Sequence, residues 1–327
     1  MREGLPITPS LFEEASEFDR QRLRARLAAL AAEDIFIGTS SWKYEGWIGQ
    51  IYSRHRYTTR GRFSQKRFND ECLGEYAETF PIVCGDFSFY QFPSQDYWRK
   101  LFGSAPSTLQ FAFKAPEDAT VKQFPRHPRY GARAGDNNAT FLDAALFKTA
   151  FLDLLAPYQP RIAALILEFG SFARQSYPDV GAFLQHLDPF LAALPPRFRY
   201  AVETRNPEFL TPEYFACLRT HRVAHVFNAW TRMPEIGMQM TGGQMRLGDP
   251  YTADFTVARA LLRRGRAYEE AVAKFTPYVH VQDPNPETRD ALRLLIGRAR
   301  QRHEPSYIFV NNRLEGNAPE TIEAITD

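Results

Sequence analysis

The sequence predicts a single (β/α)8 barrel of the TIM type. Eight short apolar runs with strand character follow one another along the chain, and most are succeeded by a segment whose apolar residues fall at helical spacing. Alternating strands and helices imply parallel pairing, and eight such units imply closure into a barrel. Lone charges in these runs stand near their C-terminal ends, where barrels of this kind carry their sites. At 327 residues, 44% hydrophobic and 24% charged, the chain has material for a large core, and one barrel can use all of it.

In order, residues 1–33 read as an N-terminal helical extension and residues 34–327 as the barrel. Over residues 9–33, Phe12, Ala15, Phe18, Leu23, Leu27 and Leu30 make one apolar stripe on an otherwise polar helix. Such a helix either docks on the domain or serves a partner. The first strand runs from Asp34 to Trp42 and is followed by Tyr44 and Trp47, aromatics that either cap the core or form a stacking wall for a sugar or base. Next comes a basic stretch, residues 53–69, with Arg54, Arg56, Arg60 and Arg62 among Tyr57, Phe63 and Phe68. It reads either as a solvated loop or as a nucleic-acid contact.

A short helix is predicted over 73–80 and a second strand over 81–90. Alternation there puts Asp86, Ser88 and Tyr90 on one face. Strand three, 109–114, ends in Lys114, which is either a snorkelling surface residue or a site cation. A long irregular loop (123–138) precedes a helix over 138–157. Strand four, 162–169, is apolar except for Glu168, and an unpaired buried carboxylate costs several kcal/mol. After a helix over 178–194, strand five (199–205) ends in Glu203 and Arg205, which point the same way because side chains alternate along a strand. A helix over 211–221, with Thr211 as its cap and Pro212 in its first turn, leads to strand six, 223–228, ending in Asn228. Strand seven is read over 243–247, holding Arg246 and followed by Asp249. Extra helices over 253–275 and 286–302 separate it from strand eight, 306–310, which ends in Asn311 and Asn312.

Six blocks in this order resemble the DUF72 family of YecE-like proteins: Gly38-Thr-Ser-Ser-Trp42 with Trp47, Phe89-Tyr90, Phe113-Lys-Ala-Pro116, Val202-Glu-Thr-Arg205, Met245-Arg-Leu247 and Phe309-Val-Asn-Asn312. The resemblance covers roughly residues 34–325. It implies a TIM-like barrel and, since the family's function is not established, no particular activity. Three positions depart from the family pattern. Cys84 and Asp86 stand in place of a Glu-x-Asn, Glu168-Phe-Gly170 in place of a Gln-Leu-Pro, and Gly248-Asp249 in place of a His-Gly.

The strand ends thus nominate Asp86, Glu168 and Glu203 as catalytic carboxylates, with Trp42, Tyr90, Lys114, Arg205, Asn228, Arg246, Asp249, Asn311 and Asn312 as substrate contacts. Arg205 and Arg246 suit a phosphate or carboxylate gripped bidentately, with Lys114 as a point charge. Cations so close would keep Glu168 and Glu203 charged, fitting a base or nucleophile and not an acid. These readings point to a hydrolase- or lyase-like enzyme acting on a phosphorylated or sugar-containing molecule. The alternatives are a non-catalytic anion or nucleic-acid binder using the mouth and the 53–69 loop, and a self-neutralising ion-pair network that closes the barrel top.

Other classes find little support. A net charge of +2 argues for no particular partner, and three scattered cysteines suit a reducing compartment. The seven histidines show no HxH or HExxH spacing, so no metal site is assigned. An ion on the three carboxylates would be Mg or Mn. No P-loop, GxGxxG or Gly-x-Ser-x-Gly motif occurs, and no cofactor is evident. No apolar run approaches the ~20 residues of a membrane span. With no signal peptide recognised, the cytoplasm is the expected location. Nothing in the sequence specifies an oligomeric state.

Overall fold

The computed structural model describes residues 18–241 and 248–327. Eight parallel strands close into a barrel: β1 (Ile35–Thr39), β2 (Ile82–Gly85), β3 (Gln110–Lys114), β4 (Ile162–Phe169), β5 (Tyr200–Thr204), β6 (Ala224–Ala229), β7 (Thr256–Ala260) and β8 (Ser306–Val310). Each pairs with its neighbour in sequence, and β8 returns to β1.

Strand alternation divides the core in two. Ile37, Val83, Phe111, Phe113, Leu165, Leu167, Val202, Phe227 and Ile308 face outward into the layer shared with the helices. Cys84, Ala112, Ala164, Ile166, Ala201, Ala224, Val226, Val257 and Phe309 fill the barrel interior. Four of these inner residues are alanines, which leaves room above them for long charged side chains of the same inward phase. Lys114, Glu168, Glu203, Asn228 and Arg259 hold that phase.

The joints between strands are unequal. β1 meets β8 over five register pairs, yet meets β2 at Thr39↔Val83 alone. Gly38 permits that approach, since a Cβ there would lie 2.0 Å from the Ile82 carbonyl oxygen. A side chain at Gly38 would therefore push β1 and β2 apart.

Several elements differ from expectation. The first described helix, α1 (Arg20–Ala31), is capped by Asp19 and buries Leu23, Leu27 and Leu30 against β1 and the final helix α10 (Ala318–Thr326). Phe12 and Ala15 lie outside the described residues. Helix α2 (Gln65–Tyr76) begins well before Leu73, because Ser64 caps it and Phe68, Cys72 and Tyr76 form its buried face. The basic stretch therefore divides into a 3-10 turn (Arg54–Tyr57), a short antiparallel hairpin and the opening turns of α2. Strand two stops at Gly85, and Phe87–Phe89 turns in a 3-10 helix around Ser88, whose hydroxyl donates to the Lys114 carbonyl at 2.7 Å. Asp86, Ser88 and Tyr90 thus share no strand face.

The largest correction concerns strand seven. Residues 242–247, which include Arg246, lie outside the described residues, and the seventh barrel strand is Thr256–Ala260, a segment read from the sequence as helix. Between it and β8 lie helices α8 (Tyr268–Phe275) and α9 (Pro286–Arg302). Other helices are α3 (Gln95–Ser104), α4 (Ala144–Phe147, continued by a π-helical Lys148–Leu152), α5 (Val180–Ala193), α6 (Pro212–Thr220) and α7 (Ile236–Met240), besides short turns at Glu117–Thr120 and Asp153–Leu155. No described helix is long and apolar enough to cross a membrane.

Candidate functional site

The inward charges at the C-terminal strand ends converge on one guanidinium. Arg259, on β7, is 2% exposed and spans the barrel interior. Its Nη1 donates to Glu168 Oε2 on β4 and to Glu203 Oε2 on β5, each at 2.5 Å, and its Nη2 reaches Asp86 Oδ1 at 3.4 Å. Glu168 and Glu203 are register partners on adjacent strands, which brings both carboxylates to the same guanidinium.

Around this hub, Glu168 also faces Lys114 Nζ at 3.1 Å and Arg205 Nη2 at 3.2 Å. Arg205 Nη2 lies 2.5 Å from Glu203 Oε1, and its guanidinium stacks over the Trp230 ring at 4.0 Å. Lys114 sits over the Phe89 ring at 3.8 Å. Three cations thus face three carboxylates, so the cluster is close to neutral as a whole.

Burial and charge oppose each other here, and the partners decide the outcome. Burial pushes the Glu168 carboxyl up, but Lys114, Arg205 and Arg259 more than reverse this and hold it well below the usual carboxylate range. Burial likewise works against the charge of Arg259, which Glu203, Glu168 and Asp86 restore. The Cys84 thiol beneath the cluster is pushed up to about 12 by burial, so it offers no thiolate nucleophile near neutral pH.

Accessibility separates the carboxylates. Glu203 is wholly buried, the Glu168 side chain is 16% exposed and that of Asp86 is 32% exposed. Glu203 therefore contacts Arg205 and Arg259 and no solvent, and Asp86 with the edge of Glu168 forms the reachable rim. A glycosidase arrangement needs two carboxyl groups with space for a sugar bond between them. Here the Arg259 guanidinium fills that space.

The other nominated residues scatter. Asn228 neighbours Arg259 in register; its Nδ2 donates to the Thr204 carbonyl, while Gln239 brackets its backbone. Trp42 is buried with its ring edge-on to Phe87, and it lines a groove between α2 and α3. Asn312 accepts from the Trp47 indole at 3.2 Å and from the Ala318 amide at 2.8 Å, so it pins the top of β8 to the first loop and to α10. Asn311 caps its own turn by accepting from the Arg313 amide. Tyr90 is exposed beneath Arg129. Asp249 is a correction. It precedes β7, at the opposite end of the barrel from the cluster, where it accepts from the Tyr251 amide and lies beside Arg219. In the basic stretch, Arg56 pairs with Glu75 and Glu78, and Arg54 lies over Phe63.

Sequence reasoning missed Arg259, Trp230 and Gln239. Arg259 carried a usable signal, being the one charge in the alternating run Thr-Val-Ala-Arg-Ala.

Comparison with known proteins agrees with this architecture. The family described as "Protein of unknown function DUF72" matches residues 36–327. The curated protein UPF0759 protein YecE of Escherichia coli K12 is 24% identical over 176 residues, which are 54% of this chain and 50% of YecE. The chain thus matches about half the length of that relative. Among solved structures, a DUF72 family protein of Thermotoga maritima superposes with a TM-score of 0.57 at 20% identity, covering 88% of this chain and 96% of that one. A second, from Enterococcus faecalis, gives 0.55 at 15% identity over 89% and 95%. At these identities the structural likeness speaks for the fold alone. With an eight-stranded parallel barrel in hand and the family match running almost from β1 to the last residue, the chain belongs to the DUF72 family.

Proposed function

We propose that the strand-end cluster is the active site of a hydrolase- or lyase-like enzyme acting on a small molecule with an anionic or sugar portion. The observation that carries this reading is the unspent hydrogen-bonding capacity inside the cluster. Arg205 Nη1, Arg259 Nε and Asn228 Oδ1 are buried without a hydrogen-bond partner among the described residues, although such groups cost about 1–3 kcal/mol each when left unmade. A network serving only to seal the barrel would gain by satisfying them.

In this reading Lys114 and Arg205 hold the anionic group, exchanging part of their contact with Glu168 for the ligand. Asp86, with a single 3.4 Å contact and an open side chain, takes a proton from a substrate hydroxyl or water. Glu168 steadies developing positive charge, since its depressed titration makes it a weak base. Glu203 is a positioning residue. Of the arginines that carry the nucleic-acid reading of residues 53–69, Arg56 is spent on Glu75 and Glu78, while Arg54, Arg60 and Arg62 stay exposed, so that reading is an outcome of the same test.

A thermal-shift screen against sugars, sugar phosphates, nucleotides and oligonucleotides tests this. A ligand at a hundred times its dissociation constant stabilises by about 2.7 kcal/mol. That gain should vanish in Lys114→Met and persist in Asp86→Asn, which should instead lose turnover. Shifts by oligonucleotides alone, or shifts indifferent to Lys114→Met, would sink the proposal.

A further inference from the structure

Far from the mouth, three side chains of metal-binding type meet between two helices. Cys217 lies in α6 and His221 follows as its cap residue, one helical turn apart and so on one face. Asp188 reaches them from α5. His221 Nε2 lies 2.7 Å from Asp188 Oδ1, and Cys217 Sγ lies 3.7 Å from the same oxygen. Sulfur, nitrogen and oxygen all fall within 4.8 Å of one another. His221 comes just before β6 begins, which puts the group at the N-terminal end of the strands, opposite the ion-pair cluster.

We propose that Asp188, Cys217 and His221 form a binding site for a borderline divalent cation of the zinc type, with three protein ligands and a fourth position open to water. Thiolate, imidazole and carboxylate are the donors zinc takes, and its bonds of roughly 2.0–2.3 Å place neighbouring ligand atoms at separations that this group already approaches. Magnesium and calcium, which take oxygen ligands, do not suit a thiolate. The ion enters as Cys217 gives its proton to solvent; no electron transfer is involved.

Two other uses of the same residues fit less well. A nucleophilic cysteine needs a cation or a helix N-terminus beside its sulfur, whereas Cys217 stands in the C-terminal half of α6 against the Asp188 carboxylate. A plain His–Asp pair explains the 2.7 Å contact but not the thiol aimed at the same oxygen. The site is also reachable, because the Asp188 side chain is 57% exposed and His221 borders a cavity of about 570 Å³ lined by Arg199 and Arg222. A bound ion would clamp α5 to α6, bracing the barrel wall behind β5 and β6.

The test is titration of the metal-free full-length chain with cobalt(II), followed by competition with zinc(II). The expected result is one equivalent bound, with a thiolate-to-cobalt charge-transfer band that zinc abolishes. Cys217→Ser should lose the band, and Asp188→Asn, a change at an exposed carboxylate, should fold normally and lose stoichiometric binding. A wild-type chain without the thiolate band overturns the proposal. So does cobalt uptake unchanged by Cys217→Ser or Asp188→Asn, since the metal would then be held elsewhere.

Discussion

Arg259→Leu is expected to cost about 3–5 kcal/mol of folding stability, the range for removing one partner of a buried charge group. The guanidinium is 2% exposed and is the only group touching Asp86, Glu168 and Glu203 together among the described residues. Without it, Glu203, which has no solvent contact, keeps Arg205 alone as a counter-charge. The measurement is the urea midpoint at neutral pH, at unchanged denaturant slope. Adding Glu203→Leu to Arg259→Leu removes the stranded charge and should restore some of the loss, because contacting residues couple by about 0.5–3 kcal/mol. A single substitution costing under about 1 kcal/mol would mean that water reaches the cluster freely, and the description of Arg259 as a buried hub would fail.

The second large effect is an acid limb set by one histidine. His225 on β6 is 1% exposed and faces outward among Tyr214, Phe215 and Phe227, with its amide bonded to Thr252. Burial pushes its pKa down to about 3, from an ordinary value of about 6.5. The folded value lies below the unfolded one, so unfolded chains take up the proton first. Stability is complete above about pH 6.5 and falls as pH drops toward 3, at close to 1.4 kcal/mol per pH unit from this group. His225→Leu should flatten the dependence between pH 6 and 5, where depressed carboxylates such as Glu168 do not yet contribute. Urea midpoints at pH 7, 6 and 5 decide the matter. Parallel pH profiles for the two proteins would show that His225 protonates without unfolding.

What the sequence reveals about this fold follows from how strongly each segment is constrained. Glu168, Glu203, Arg205 and Lys114 stand out because a lone charge at the end of an apolar run in a parallel strand has few places to go. The seventh strand is obscure for the opposite reason. Thr256–Ala260 and the residues after it are rich in alanine, arginine and leucine, all good helix formers, and only the requirement to close the barrel overrides that preference. This one displacement had two consequences. The inward arginine of the seventh strand is Arg259, outside the span 243–247 read as that strand, and Asp249 moved from the N-terminal side of the strand to the C-terminal side, the wrong end of the molecule. Trp230 and Gln239 belong to a connection between strands, where periodicity gives no guide to what a side chain will meet. Asp188, Cys217 and His221 come together only through the packing of α5 on α6, which no spacing within either helix announces.

The single register pair between β1 and β2 has a consequence for how the barrel breathes. A closed sheet has no free edge to fray, so any brief opening must begin by parting one of its joints, and the least costly is the one with the shortest ladder. Hydrogen exchange under native conditions should therefore find the amides at the β1–β2 joint among the first barrel protons to trade with solvent, ahead of those in the five-pair ladder of β4 with β5. Uniform protection around the ring would show that the barrel opens only as a whole. If the order holds, the mouth has a built-in direction of give: Asp86, one residue beyond β2, rides on the strand that moves, while Glu168 and Glu203 stay with the wall that does not.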